Sequence, residues 1–197
     1  LRDNTAVIFM SDNGGTSTSE GHPTSNLPLR GGKGWMYEGG IREPMAVRWP
    51  GVASPGTRCD RPLVSTDFYP TILEMAGIPP KPEQHVDGVS FVPLLRNPFA
   101  KFNRGPIYFH YPHYSNQGGF PASAVRSENF KLIQDLEDGE FELYDLSQDD
   151  KEHNNLAQLE AEKVKELSDM LNSWRKEVDA KPLKKNAKTG AEPPVLW

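Results

Sequence analysis

The 197-residue sequence has one cysteine, Cys59, which excludes an internal disulfide and any zinc cluster built on several thiolates. Long hydrophobic runs are also missing. Residues 5–10 form one of the longest, far short of the ~20 residues needed to span a bilayer, so a membrane span is excluded. There is no excess of positive charge either. The formal net charge is −5, and nucleic acid is not expected as a partner because phosphate binding needs a concentrated basic face. A basic cluster does lie at 181–188, but it sits among Pro, Gly and Asn and reads as a solvated tail. Internal repeats and low-complexity tracts are lacking. What remains, 36% hydrophobic and 25% charged residues, is the composition of a globular chain with a core.

Hydrophobic patterning gives a two-part organisation. Residues 5–10, a continuous apolar run, predict a central parallel strand covered on both faces. A strand of that kind needs neighbours, and the chain begins with Leu1. It is therefore expected to be cut from a longer protein. A loop rich in Gly, Ser, Thr, Asn and Pro follows over 11–34, a length at which loops tend to be functional or disordered. Residues 44–49 predict a strand. Residues 65–76 predict a helix, with Thr66 or Asp67 as cap, Phe68, Ile72, Leu73 and Ala76 on one face, and Gly77 as stop. Residues 78–101 read as loop around a short apolar patch.

Beyond this point four short strands are expected, at 106–111, 122–126, 130–135 and 140–146. The last two are joined through Asp138-Gly139, a hairpin signal. A long amphipathic helix over 156–178 follows, with Val164, Leu167, Leu171 and Trp174 as its stripe. The division expected is 1–103 as an α/β portion, 104–179 as an antiparallel sheet with a helix, and 180–197 as a polar tail.

Chemistry concentrates in two segments. The first strand runs into Ser11-Asp12-Asn13-Gly14-Gly15, at the carboxyl end where α/β sheets collect ligands. Asp12 and Asn13 offer adjacent oxygen donors suited to a hard cation at about 2.3–2.6 Å. By itself the segment reads equally as a turn. The second segment is Leu29-Arg30-Gly31-Gly32-Lys33-Gly34-Trp35-Met36-Tyr37-Glu38-Gly39-Gly40-Ile41-Arg42-Glu43-Pro44. Five glycines around Lys33 let backbone amides and one ammonium wrap a tetrahedral anion. The order of a P-loop is absent, and no helix is expected to follow.

Taken together, these segments closely resemble the C-terminal signature of the type I, formylglycine-dependent sulfatases of the alkaline phosphatase-like superfamily. Arg48-Trp49-Pro50-Gly51, Thr66-Asp67, Asp87-Gly88-Val89-Ser90, Glu142-Leu143-Tyr144-Asp145-Leu146 and Asn155-Leu156 continue the resemblance in order. It implies the C-terminal part of an alkaline phosphatase-like α/β sandwich plus a small four-stranded antiparallel sheet with a long C-terminal helix. It implies sulfate ester hydrolysis by the full-length protein, with Asp12 and Asn13 as calcium ligands and Lys33 as the catalytic, sulfate-contacting lysine. His110 and His113 are implied near the substrate pocket, a role open alongside that of ordinary interior histidines, and His22 is a further substrate-side candidate. Arg42 and Glu43 read as an ion pair or a substrate contact.

The family's nucleophile is a formylglycine made in a Cys/Ser-x-Pro-x-Arg motif. Cys59 stands in Arg58-Cys59-Asp60-Arg61 and does not match it. The resemblance therefore places the nucleophile, the paired aspartates and the upstream sulfate-binding residues in an N-terminal part that would be this chain's partner. The chain alone is expected to be inactive. A sulfated small molecule or glycan is the implied ligand, and a periplasmic, secreted or lysosomal setting the implied location. Two alternatives remain at this stage: a phosphate or phosphonate ester hydrolase of the same superfamily, or a non-catalytic module binding sulfated glycans.

Overall fold

The computed structural model describes residues 1–17, 21 and 23–184. The chain divides into two compact units, Leu1–Met10 with Met45–Gly105, and Ser11–Pro44 with the described residues from Pro106 onward.

In the first unit, β1 (Val7–Met10) pairs with β2 (Met45–Arg48) in an antiparallel ladder running from Val7↔Arg48 to Met10↔Met45. This corrects the expectation of a parallel strand covered on both faces. Among the described residues β1 has only β2 beside it, and Val7, Phe9 and Met10 are exposed. An apolar run carries no information about strand direction, so pairing had to come from tertiary structure.

The predicted helix forms as α2 (Phe68–Met75), preceded by a 3₁₀ turn at Ser65–Asp67. Its start is fixed by Asp67, whose buried carboxylate accepts the Val64 and Val89 N–H groups at 3.0 and 2.9 Å and pairs with Arg104 Nε at 2.9 Å. Thr71 extends this anchor: its hydroxyl donates to the Asp67 carbonyl and accepts the Phe91 N–H. Phe91 then meets Phe68 edge-on at 5.5 Å between ring centroids. A short helix, α3 (Val92–Arg96), occupies part of the stretch read as loop, with Pro93 in its first turn, where a missing N–H costs nothing.

The second unit is built on the predicted meander β3 (Ile107–Tyr111), β4 (Ala122–Ser127), β5 (Phe130–Asp135) and β6 (Phe141–Asp145), antiparallel in chain order. Successive side chains on a strand point to opposite faces, and here both faces are covered. Val125, Leu132 and Leu143 pack with Leu167 and Leu171 of α4 (Ala161–Glu177). Ala124, Ile133 and Tyr144, one residue along each strand, pack with Tyr37. Trp174 finishes the helix stripe by stacking on Tyr108 at 4.9 Å. Among the described residues no helix is long and apolar enough to cross a membrane.

The long helix begins five residues later than its pattern suggests. Asn155 Oδ1 accepts the N–H groups of Leu143 and Ala157, and Leu156 N–H donates to the Leu143 carbonyl at 2.8 Å. These bonds hold residues 155–157 against β6, so helical backbone starts only after they are released.

Candidate functional site

The two chemistry-bearing segments lie in the second unit, and their backbones are woven together. Gly14 N–H donates to the Gly40 carbonyl at 3.1 Å, and Lys33 N–H to the Gly15 carbonyl at 3.2 Å. The approach is too close for any side chain: a Cβ on Gly14 would lie 2.1 Å from the Gly39 oxygen. Asn26 fastens the same weave. Its amide nitrogen donates to the Gly15 and Gly31 carbonyls at 2.9 and 3.2 Å and to Ser17 Oγ, while its Oδ1 accepts the Gly15 N–H. The loop thus places the Asp12-Asn13 pair and Lys33 on strands of backbone that bond to each other directly.

A single helical turn, α1 (Glu38–Ile41), follows the lysine loop, where none was expected. Tyr37 is extended and Glu38 starts the turn, with Gly39 N–H donating back to the Arg30 carbonyl at 2.8 Å. The extended-to-helical switch at Tyr37 has no periodicity to betray it, because a four-residue element is shorter than any helical pattern.

On the other flank, Gly34 sits at φ +87°, and a Cβ there would meet Ser115 Oγ at 2.1 Å. Trp35 Nε1 donates to the Gln117 carbonyl at 3.1 Å. The loop carrying His113 is thereby packed against the residues that follow Lys33.

The predicted site residues are placed as follows. Asp12 and Lys33 are exposed and Asn13 is half-buried. His113 is exposed, its ring 5.3 Å from that of Tyr111. His110 lies on β3 with both ring nitrogens engaged, Nδ1 with Ser123 Oγ at 2.6 Å and Nε2 with the Lys181 carbonyl at 2.7 Å. His22 lies outside the described residues. Arg42 and Glu43 do not pair. Arg42 turns to Glu38 and Asp150, at 3.9 and 3.7 Å. Glu43 stands by Asp12 and Ser11, with a buried Oε1 that has no hydrogen-bond partner. Burial, and then the Asp12 charge, push the Glu43 carboxyl above its ordinary range.

A bound cation would relieve this crowding of carboxylates. The oxygen donors Asp12 and Asn13 fit part of the shell of a hard cation such as calcium, which takes about 6–8 oxygens. Among the described residues no group of three or more His, Cys, Asp or Glu side chains is gathered to hold a metal.

Two polar clusters, the first part-buried and the second buried, were not apparent from the sequence. Arg30 lies over the Tyr37 ring, 3.7 Å from Cζ to centroid, and bonds the Tyr144 hydroxyl and the Glu152 carbonyl at 2.8 and 3.0 Å. Tyr37 and Tyr144 both donate to Glu142. Burial first, with Glu142 adding to it, raises both phenols well above their ordinary value, so they stay protonated donors. The second cluster joins Glu38, Lys131 and Glu152. Lys131 lies 93 residues from Glu38 and 21 from Glu152, and no local pattern links them.

Comparison with known proteins gives the chain a family. Residues 32–180 match the family model described as N-sulphoglucosamine sulphohydrolase, C-terminal. A sulfatase of Formosa agariphila is 36% identical over 199 residues, covering 96% of this chain and 35% of that protein. The N-acetylglucosamine-6-O-sulfatase of Bacteroides thetaiotaomicron is 29% identical over 186 residues, covering 89% of the chain and 31% of that protein. A solved structure described as a complex with its substrate, D-glucosamine-2-N,6-O-disulfate, superposes with a TM-score of 0.71 at 30% identity, covering 93% of this chain and 37% of that one. The chain belongs to the N-sulphoglucosamine sulphohydrolase C-terminal family and represents a C-terminal part of a sulfatase of the alkaline phosphatase-like superfamily. It spans about a third of the length of these curated relatives.

Proposed function

We propose that this domain serves a sulfuric ester hydrolase acting on sulfated sugars, and that it supplies one side of the active site. Lys33 is the sulfate-contacting residue. A sulfate monoester gains negative charge on its leaving oxygen as the S–O bond breaks, and an ammonium held nearby stabilises that charge. Asp12 and Asn13 contribute oxygen ligands to a calcium ion, which when bound polarises a sulfate oxygen and favours attack at sulfur. The observation that carries the reading is the direct bonding of Lys33 N–H to Gly15 and of Gly14 N–H to Gly40, which keeps the cation-ligand pair and the lysine in one frame. His113, on the loop packed against Gly34 and Trp35, is the substrate-side candidate that this frame favours; His110 is already engaged at both nitrogens. A sulfated amino sugar is the preferred substrate class, by similarity to the relative solved with D-glucosamine-2-N,6-O-disulfate.

The sequence contains no Cys/Ser-x-Pro-x-Arg motif, so on this reading the nucleophile comes from elsewhere and the 197 residues alone do not turn over sulfate esters. The test is a paired assay of the full-length protein that carries this domain, on a sulfated glucosamine and the matching phosphate ester. Sulfate hydrolysis is expected to dominate, to depend on calcium, and to fall about 10²–10³-fold in Lys33→Ala, as for loss of one charge-stabilising donor. Faster phosphate hydrolysis, or a rate indifferent to Lys33→Ala, would sink it.

A further inference from the structure

Lys131 is an unexpected residue for its place. It lies on β5 two residues before Ile133, and therefore on the same buried sheet face as Ile133 and Tyr37, with no solvent exposure. Its cross-strand neighbours are Arg126 on β4 and Tyr144 on β6. Its ammonium is held between two carboxylates that are also buried, Glu38 Oε1 at 3.0 Å and Glu152 Oε1 at 2.8 Å. Arg126 completes the charge balance at 3.5 Å from Glu38. A buried ionic group of this kind is a poor device for stability, since apolar side chains of similar volume often do as well or better. Its value here is better sought in geometry.

The geometry runs outward in named steps. The second oxygen of Glu152 accepts the backbone N–H of Glu38 at 2.6 Å, so Glu38 is gripped by side chain and main chain together. Glu38 opens the turn whose next two residues touch both halves of the site. Gly39 N–H holds the Arg30 carbonyl, and the Gly40 carbonyl receives the Gly14 N–H. Gly14 adjoins Asn13, and Arg30 leads into the Lys33 loop. We propose that Lys131, with Glu38 and Glu152, is a positioning group that sets the register of the Lys33 loop against the Asp12-Asn13 segment from the floor of the antiparallel sheet. The proposal takes the sulfate-site reading as its premise.

Amide hydrogen exchange on the 197-residue chain, read residue by residue, tests it. In Lys131→Met the N–H groups of Gly14, Lys33 and Gly39 should exchange at least about tenfold faster, while amides of the β4–β5 ladder change by less than about twofold, as expected for local opening. Glu152→Ala should do the same. Glu152→Gln, which keeps an acceptor for the Glu38 N–H, should restore most of the protection. The idea is overturned if the three site amides do not move, or if they move by the same factor as the ladder. Should Lys131→Met not fold, the Glu152 pair decides, and indistinguishable Ala and Gln variants would overturn it. A parallel titration of the full-length protein that carries this domain with inorganic sulfate, in the presence of calcium and followed at the Lys33 amide resonance, separates the two ideas. A response in the parent that weakens about tenfold in Lys131→Met supports both. No response in the parent, with the exchange pattern intact, removes the sulfate reading and leaves the positioning group standing.

Discussion

The two units spend similar residues very differently. In the second unit every strand of the meander places one side chain on each of two covered faces, and Leu132, Leu143 and Val125 are fully buried. In the first unit the most apolar strand of the chain stays open, with Phe9 68% and Val7 49% exposed. The order of the first unit comes instead from a polar anchor, Asp67, around which the start of α2, Val89 and Arg104 are arranged. Apolar content therefore says where burial is possible. Whether it happens depends on what the fold lays over the strand.

The largest expected effect tests that contrast directly. Leu132→Ala removes a side chain with no exposure and should cost about 2–5 kcal/mol in a chemical denaturation series. Phe9→Ala removes a larger side chain, but one already in solvent, and should stay within about 0.5 kcal/mol. Equal costs would mean that β1 is covered in solution and that the contrast between the units is false.

A smaller effect compares two glycines with similar backbones. Gly34 in the second unit and Gly56 in the first have φ of +87° and +74°, so alanine at either pays the left-handed strain of roughly 1–2 kcal/mol. Around Gly56 nothing lies within 4 Å, whereas a Cβ at Gly34 would meet Ser115 Oγ at 2.1 Å. Gly34→Ala should therefore cost about 1–3 kcal/mol more than Gly56→Ala, the usual range for overpacking. A difference near zero would show that the Ser115 loop yields easily, and would loosen the link drawn between the His113 loop and Lys33.

Much of the second unit was legible beforehand, for a physical reason. The short apolar segments at 122–126 and 130–135 between polar turns, the Asp138-Gly139 turn and the stripe from Val164 to Trp174 are local signals, and local signals survive being read one segment at a time. The close meeting of the Asp12-Asn13 and Lys33 segments was legible because glycine density marks close backbone approach. The fasteners of the site were not. Asn26 sits in a polar loop like many other asparagines, and its four bonds depend on two turns meeting around it. Lys131 occupies a strand position where its charge argued for solvent, and only Glu38 and Glu152, distant in sequence, explain its burial. Glu43 was read with its neighbour Arg42, yet it stands by Asp12 and Ser11, because adjacent residues need not point the same way.

The smallest effect is a pH dependence confined to the second unit. Burial pushes the Glu152 carboxyl above its ordinary 4.5, an effect that the Lys131 charge and the Glu38 N–H oppose and the Glu38 charge reinforces. A carboxyl with a raised pKa in the folded state binds more protons there than in the unfolded chain. Its contribution to stability is then complete below 4.5 and is lost as pH rises through the raised value. Asp135 and Glu43 are shifted the same way, in each case chiefly by burial, so all three lean in one direction. Melting temperature should therefore decline as pH climbs from 4.5 through that window, and Glu152→Gln should flatten part of the slope without abolishing it. Exchange protection measured across the same range should fall at the Gly14, Lys33 and Gly39 amides and hold steady at α2. A profile that steepens in Glu152→Gln, or one that falls equally in both units, would mean that the buried group around Lys131 governs neither the slope nor the contrast.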